Sequence, residues 1–170
     1  MPTATINNAR LWYDQLGQGE PLLLHHGYTA SRVNWLPVAQ QLKQHYQIIL
    51  MECRGTGESE DTADGYNLEQ YARDVLGLMD HLKINKFSYA GHSMGGAVGV
   101  LATSEDDRIN YLISLAGMVH TAKFAQVEFG DQVPDHGFMW EDEDCPLSST
   151  YISDMNNIGS VLEKGAEINI

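Results

Sequence analysis

The chain has 170 residues, 43% of them hydrophobic and 19% charged, the composition of one soluble globular domain large enough to bury about two-thirds of its unfolded surface. Its 23 acidic against 10 basic side chains leave a net charge of −13, which repels phosphate backbones and anionic membrane surfaces and, with no basic patch in the sequence, excludes a nucleic-acid binder. Residues 121–170 hold ten of the acids against Lys123 and Lys164, so −8 of that charge sits in the last third of the chain.

Two short β-branched or aromatic stretches, Thr5 to Asn7 and Arg10 to Asp14, precede the Gly17–Gly19 break and predict an opening hairpin. Four apolar runs without alternation follow: Pro21 to His25, Gln47 to Cys53, Phe87 to Ala90 and Tyr111 to Ala116. Runs of this kind fit strands covered on both faces. Helical patterns lie between them. Ser31 can cap a segment with Trp35, Val38, Ala39 and Leu42 on one face, and Asn67 with Gln70 resembles a capping box before Tyr71, Val75, Leu76, Met79 and Leu82. Strand, helix and strand in alternation predict an α/β fold with a mostly parallel sheet and helices on both faces. After Gly117 the periodicity loosens, and Phe124 to Trp140 reads as loop with short helical turns. A last helix is expected from about Ser148 to Leu162, after which Ala166 to Ile170 alternates like the approach to another strand.

No apolar run approaches the roughly 18 residues of a membrane span, and the N-terminus lacks the basic flank and apolar stretch of a signal peptide, so the expected compartment is the cytoplasm. Cys53 and Cys145 form no disulfide framework and no zinc spacing; Cys53 reads as a small core residue. No cofactor and no metal are expected.

The chemistry-bearing residues fall at strand ends. Phe87 to Ala90 runs into Gly91, His92, Ser93, Met94, Gly95 and Gly96, and a helical pattern through Ala97, Val98, Val100 and Leu101 follows at once. This is G-x-S-x-G between strand and helix, where small residues at Gly91 and Gly95 let the helix and neighbouring strands approach and Ser93 stands exposed beside the positive end of a helix. A phosphate loop would need Lys where Ala97 stands. His25, His26, Gly27 and Tyr28 come directly after an earlier strand. Adjacent strand residues point to opposite faces, so the two histidines cannot share a metal, and each reads as a structural hydrogen-bonder.

These motifs, with Glu52, Cys53, Arg54, Gly55, Thr56, Gly57, Glu58 and Ser59 between them, make the sequence similar to the α/β-hydrolases over residues 1 to about 117, which resemble the first six of that fold's usual eight strands. The resemblance implies Ser93 as nucleophile, backbone N–H of Tyr28 and Met94 as oxyanion hole, and cleavage of carboxylic esters or related small-molecule acyl substrates without a cofactor. Relatives with an aspartate nucleophile, such as dehalogenases and epoxide hydrolases, have Asp where this chain has Ser93. In this family the triad runs serine, acid, histidine. Only His120 and His136 follow Ser93, and Ser93, Asp131, His136 is a formally allowed order, but the usual Gly-His before a final helix has no counterpart. Residues 118–170 resemble a lid-like segment, acidic and rich in aromatics (Phe124, Phe129, Phe138, Trp140), that either lines a substrate entrance or packs on itself.

Two readings stay open. One is a serine hydrolase, either complete in ways the sequence conceals or truncated at its C-terminus and weakly active; the other is a non-catalytic hydrolase-like fragment or binding module, or one chain of a complemented enzyme. A strand Tyr111–Ala116 left at a sheet edge predicts a homo-oligomer or a complementing chain.

Overall fold

The computed structural model describes residues 2–143 and 145–166. The opening hairpin is present as β1 (Thr3–Ile6) and β2 (Ala9–Leu16), antiparallel with Ile6 opposite Ala9. Asn7 and Asn8, both at positive φ (46° and 63°), make the two-residue turn whose twist suits a hairpin. Four strands joined by three crossover helices follow: β3 (Glu20–His25), α1 (Leu36–Leu42), β4 (Tyr46–Met51), α2 (Leu68–His81), β5 (Phe87–His92), α3 (Met94–Glu105) and β6 (Ile109–Leu115). The six strands form one sheet in the order β1-β2-β4-β3-β5-β6, parallel from β4 to β6 and antiparallel between β1, β2 and β4. The chain steps from β3 to β4 on one side and returns over β3 to β5 on the other. That reversal opens a crevice beyond the carboxyl ends of β3 and β5, where sheets of this kind hold ligands.

Both sheet faces are covered over β3, β4 and β5, which explains their unbroken apolar runs, whereas β6 departs from that expectation: Tyr111, Ile113 and Leu115 are exposed on one face, where no helix among the described residues packs. Leu22, Leu24, Ile48, Leu50 and Ala90 face α1, with Trp12, Trp35 and Ala39. Leu23, Ile49, Met51, Phe87 and Tyr89 face α2 and α3 in the larger cluster. Asn67 caps α2 by accepting from the Gln70 N–H (2.8 Å), but the Gln70 side chain bonds Asp74 rather than reaching back to the cap. The reciprocal box forms instead at Ser31 and Asn34, ahead of a 3-10 turn at Arg32–Trp35 that leads into α1. Residues Met94 to Thr103 of α3 are all buried, so this helix shows no polar stripe.

The last third differs from the sequence expectation in one element. Thr121–Phe129 is a helix, α4, not a loop with turns. Its buried positions Thr121, Ala125 and Phe129 recur every four residues, a stripe too narrow to read beside exposed Val127, and Thr121 Oγ1 donates to the Met155 carbonyl at 2.8 Å to hold it. The expected final helix is split: α5 (Ser149–Ile158), capped by Ser148, stops at Gly159 with φ 67°, and α6 (Leu162–Gly165) follows. The expected alternation at 166–170 falls almost wholly on residues 167–170, outside the described residues. Met118, Ala125, Phe129, Met139, Leu147, Tyr151, Met155 and Val161 join the same apolar cluster as the sheet. No helix among the described residues is long and apolar enough to cross a membrane.

Candidate active site

Ser93 follows β5 directly and opens α3. Its backbone has φ 55° and ψ −119°, a conformation that costs a residue with a Cβ about 1–3 kcal/mol. Surrounding bonds hold it there. The Ser93 N–H donates to the Leu115 carbonyl at 2.9 Å, and the Ser93 carbonyl accepts from Gly96, Ala97 and Met118. The two flanking glycines are required by close approach. A Cβ at Gly91 would collide with the Gly95 carbonyl, and one at Gly95 would lie 2.6 Å from the carbonyl oxygens of His25 and His26. Tyr89 Oη donates to the Gly95 carbonyl at 2.8 Å and ties the turn to the core. A Cβ at Gly96 would meet Ser114 Oγ, so this third glycine admits β6 beside α3.

The loop after β3 is brought against this turn, because His25 pairs with Gly91 in the sheet. A Cβ on Gly27 would stand 3.0 Å from Ser93 Cβ and 3.2 Å from His92 Nδ1, so Gly27 is in contact with the serine. Among the described residues the backbone N–H groups of Tyr28 and Met94 have no protein acceptor. Two free N–H groups, one beside the serine in sequence and one across the crevice from it, are the donors that an oxyanion needs. His25 and His26 are buried and hydrogen-bonded. Burial, and then the neighbouring His26, holds the His25 pKa well below the ordinary value; burial likewise lowers that of His26. Cys53 lies 3.1 Å from His25 Nε2, and burial pushes its thiol pKa up, which leaves it unreactive.

A cleft of about 560 Å³ opens beside Tyr28, between the 63–67 loop and α5, lined also by Tyr66, Met139, Tyr151 and Asp154. The Tyr28 and Tyr151 rings meet edge-on at 5.2 Å, and Phe129 stacks edge-on with Tyr151, Phe124 and Trp140. The aromatics of the last third therefore pack on one another and also border the cleft. Burial and the nearby Glu69 hold the Asp154 carboxyl above the usual range.

Among the described residues neither downstream histidine is hydrogen-bonded to Ser93. His120 precedes α4 and its Nδ1 is 3.2 Å from Ser160 Oγ. His136 and Asp131 are exposed in the loop after α4, where the His136 N–H donates to the Val133 carbonyl. Among the described residues no side chain is hydrogen-bonded to Ser93 Oγ, and no three His, Cys, Asp or Glu side chains converge as a metal site.

Residues 20–144 match the alpha/beta hydrolase fold family. The chain is 37% identical over 95 residues to a soluble epoxide hydrolase of Corynebacterium sp. (strain C12), covering 56% of this chain and 33% of that protein. It is 38% identical over 103 residues to the pimeloyl-[acyl-carrier protein] methyl ester esterase of Legionella pneumophila (strain Corby), covering 60% and 40%. Among solved structures, the enol-lactonase of Burkholderia xenovorans LB400 superposes with a TM-score of 0.61 at 34% identity, covering 64% of this chain and 44% of that one. The chain thus spans less than half the length of each of these three.

Proposed function

Because the chain belongs to the alpha/beta hydrolase family, whose matched members include hydrolases of esters and epoxides by name, we propose that it carries the nucleophilic half of a serine hydrolase for carboxylic esters or related acyl groups. The observation that carries this reading is the strained Ser93 between two free N–H donors. A carbonyl seated with its carbon over Ser93 Oγ and its oxygen toward Tyr28 N and Met94 N would be attacked to give a tetrahedral oxyanion held by both N–H groups; its collapse breaks the ester C–O bond, leaves an acyl-serine and releases the alcohol, whose oxygen takes the proton lost by the serine, and water then hydrolyses the acyl-serine to the acid. An epoxide hydrolase mechanism through an alkyl ester would need a carboxylate where Ser93 stands.

A hydroxyl without a base has a pKa far above 7, so turnover is expected to be small; oxyanion hole and binding alone leave about 10³ to 10⁴ over water when a triad member is lost. The test is a short 4-nitrophenyl ester with and without prior fluorophosphonate treatment. Cleavage above the solvent rate should fall in proportion to the serine blocked, and undiminished cleavage by fully blocked protein would remove the reading. His120→Ala and His136→Ala separate the base: the one that serves Ser93 should remove nearly all cleavage at pH 7 to 8, because base and nucleophile act as a unit. Cleavage that survives both assigns the base to neither.

The bare edge of the sheet supports association as well. Ile109 to Leu115 carries no charge, and Tyr111, Ile113 and Leu115 are 70%, 51% and 46% exposed on the sheet face away from α3. An uncharged edge strand with unpaired N–H and C=O groups pairs readily with another chain. Light scattering over a dilution series should show an oligomer that Ile113→Lys returns to monomer. A monomer at every concentration would overturn the association.

A further inference from the structure

We propose that His26 is the positioning residue of the oxyanion hole, fixing the Gly27–Tyr28 peptide so that the Tyr28 N–H faces the carbonyl oxygen bound at Ser93. This rests on the oxyanion role given to Tyr28 above. The ring bridges two backbone groups. The Cys53 N–H donates to His26 Nε2 at 3.1 Å, so Nε2 bears no proton and the ring is neutral with its proton on Nδ1. That Nδ1–H points at the Gly27 carbonyl oxygen, 2.8 Å away. In a trans peptide the C=O and the following N–H point in opposite directions, so anchoring the Gly27 oxygen on the ring side turns the Tyr28 N–H the other way. Gly27 itself is packed against Ser93, since a Cβ on it would stand 3.0 Å from Ser93 Cβ, so the peptide that the ring anchors borders the serine. Gly27 allows this contact and cannot hold its own dihedral angles, so the ring supplies the restraint that a side chain at that position would otherwise give. A hydrogen bond accepted by the carbonyl also polarises the same peptide and makes its N–H a better donor, by about 10–30% per bond.

The ring is 2% exposed, it is not hydrogen-bonded to Ser93 Oγ, and its two nitrogens are both occupied by backbone. The groups facing it are the His25 ring at 5.5 Å, the buried Glu52 carboxylate and the Cys53 backbone. Burial favours the neutral ring that the two hydrogen bonds require.

Asn places an amide N–H near the position of His Nδ1, whereas Gln and Ala do not. The expected result is that His26→Ala and His26→Gln slow fluorophosphonate labelling of Ser93 by about tenfold to a hundredfold, somewhat less than the 10² to 10³ seen when a whole oxyanion donor is removed, and that His26→Asn restores most of the rate. Thermal unfolding of each variant shows which are folded. Equal labelling of all folded variants, or Asn no better than Ala, would overturn the assignment. A separate readout holds even if every variant fails to fold: ¹H–¹⁵N long-range spectra of the Ser93→Ala chain should show His26 protonated at Nδ1 and bare at Nε2 from pH 6 to 8. The opposite tautomer or a charged ring overturns the positioning role. Failure of the unmutated chain to label at all would count against the Ser93 reading and leave the tautomer to decide this one.

Discussion

Fluorophosphonate should label this chain at Ser93 alone, and Ser93→Ala should abolish the adduct. The reagent needs a serine oxygen that can reach phosphorus while the phosphoryl oxygen is held by N–H donors, and the turn after β5 offers that combination at Ser93. Mass spectrometry of the digested protein locates the adduct; equal labelling of Ser93→Ala would place the nucleophile elsewhere. The backbone supplies an independent check. At φ 55° and ψ −119° a Cβ is strained, and glycine is not, so Ser93→Gly should lose the label yet gain about 1 kcal/mol of stability. For a chain of this size that is roughly 2–4 °C in Tm. Ala keeps the Cβ and should show no such gain. A site that trades stability for geometry behaves this way, and a glycine-rich turn with an incidental serine does not.

Asp74→Ala should be the most destabilising single change outside the sheet core. Arg54 and Asp74 are 4% and 1% exposed and meet through two parallel bonds of 2.9 Å, Nε to Oδ2 and Nη2 to Oδ1. The same carboxylate accepts from Asn7 Nδ2 at 3.0 Å and from Gln70 Nε2 at 2.8 Å. It thereby joins the β1–β2 turn, the loop after β4 and α2. Removing it leaves a buried guanidinium with no carboxylate hydrogen-bonded to it, only Asp64 acting on it through space, and deleting one partner of such a pair costs about 3–5 kcal/mol. Urea unfolding should report that loss and Tm should fall by roughly 10 °C. Asp74→Asn keeps the acceptor for Asn7 and Gln70 and should lose less. A midpoint unchanged in Asp74→Ala would mean that Arg54 finds water in the variant.

The order of strands and helices was legible because each element is stated locally. The two-face coverage of β3, β4 and β5 appears as uninterrupted apolar runs, and the glycines at 91, 95 and 96 mark the turn because no other residue fits the approach they permit. Gly159 likewise ends α5, although the apolar pattern continues past it. α4 was not legible. Its buried stripe is only three residues, and what holds it to α5, the Thr121 hydroxyl, the Ala122 N–H and the Phe129–Tyr151 ring contact, is tertiary, so the period that marks a helix is too weak to separate from the aromatics around it.

At the candidate site the same division holds. Sequence alone determined that Ser93 lies between a strand and a helix and that Gly27 and Tyr28 follow an earlier strand; these are matters of neighbours in the chain, and chain neighbours fix them. The expectation that His25 and His26 point to opposite faces fails, because β3 ends at His25 and the two rings lie 5.5 Å apart. Only the tertiary structure decided that Gly27 touches Ser93, that His26 bridges Cys53 and Gly27, and that Arg54 finds Asp74, twenty residues away in the chain. It also decided that His120 bonds Ser160. Each of these depends on which strands lie side by side. Strand order is settled by the global packing of the sheet, through the register of β3 against β5, and no local pattern carries that register.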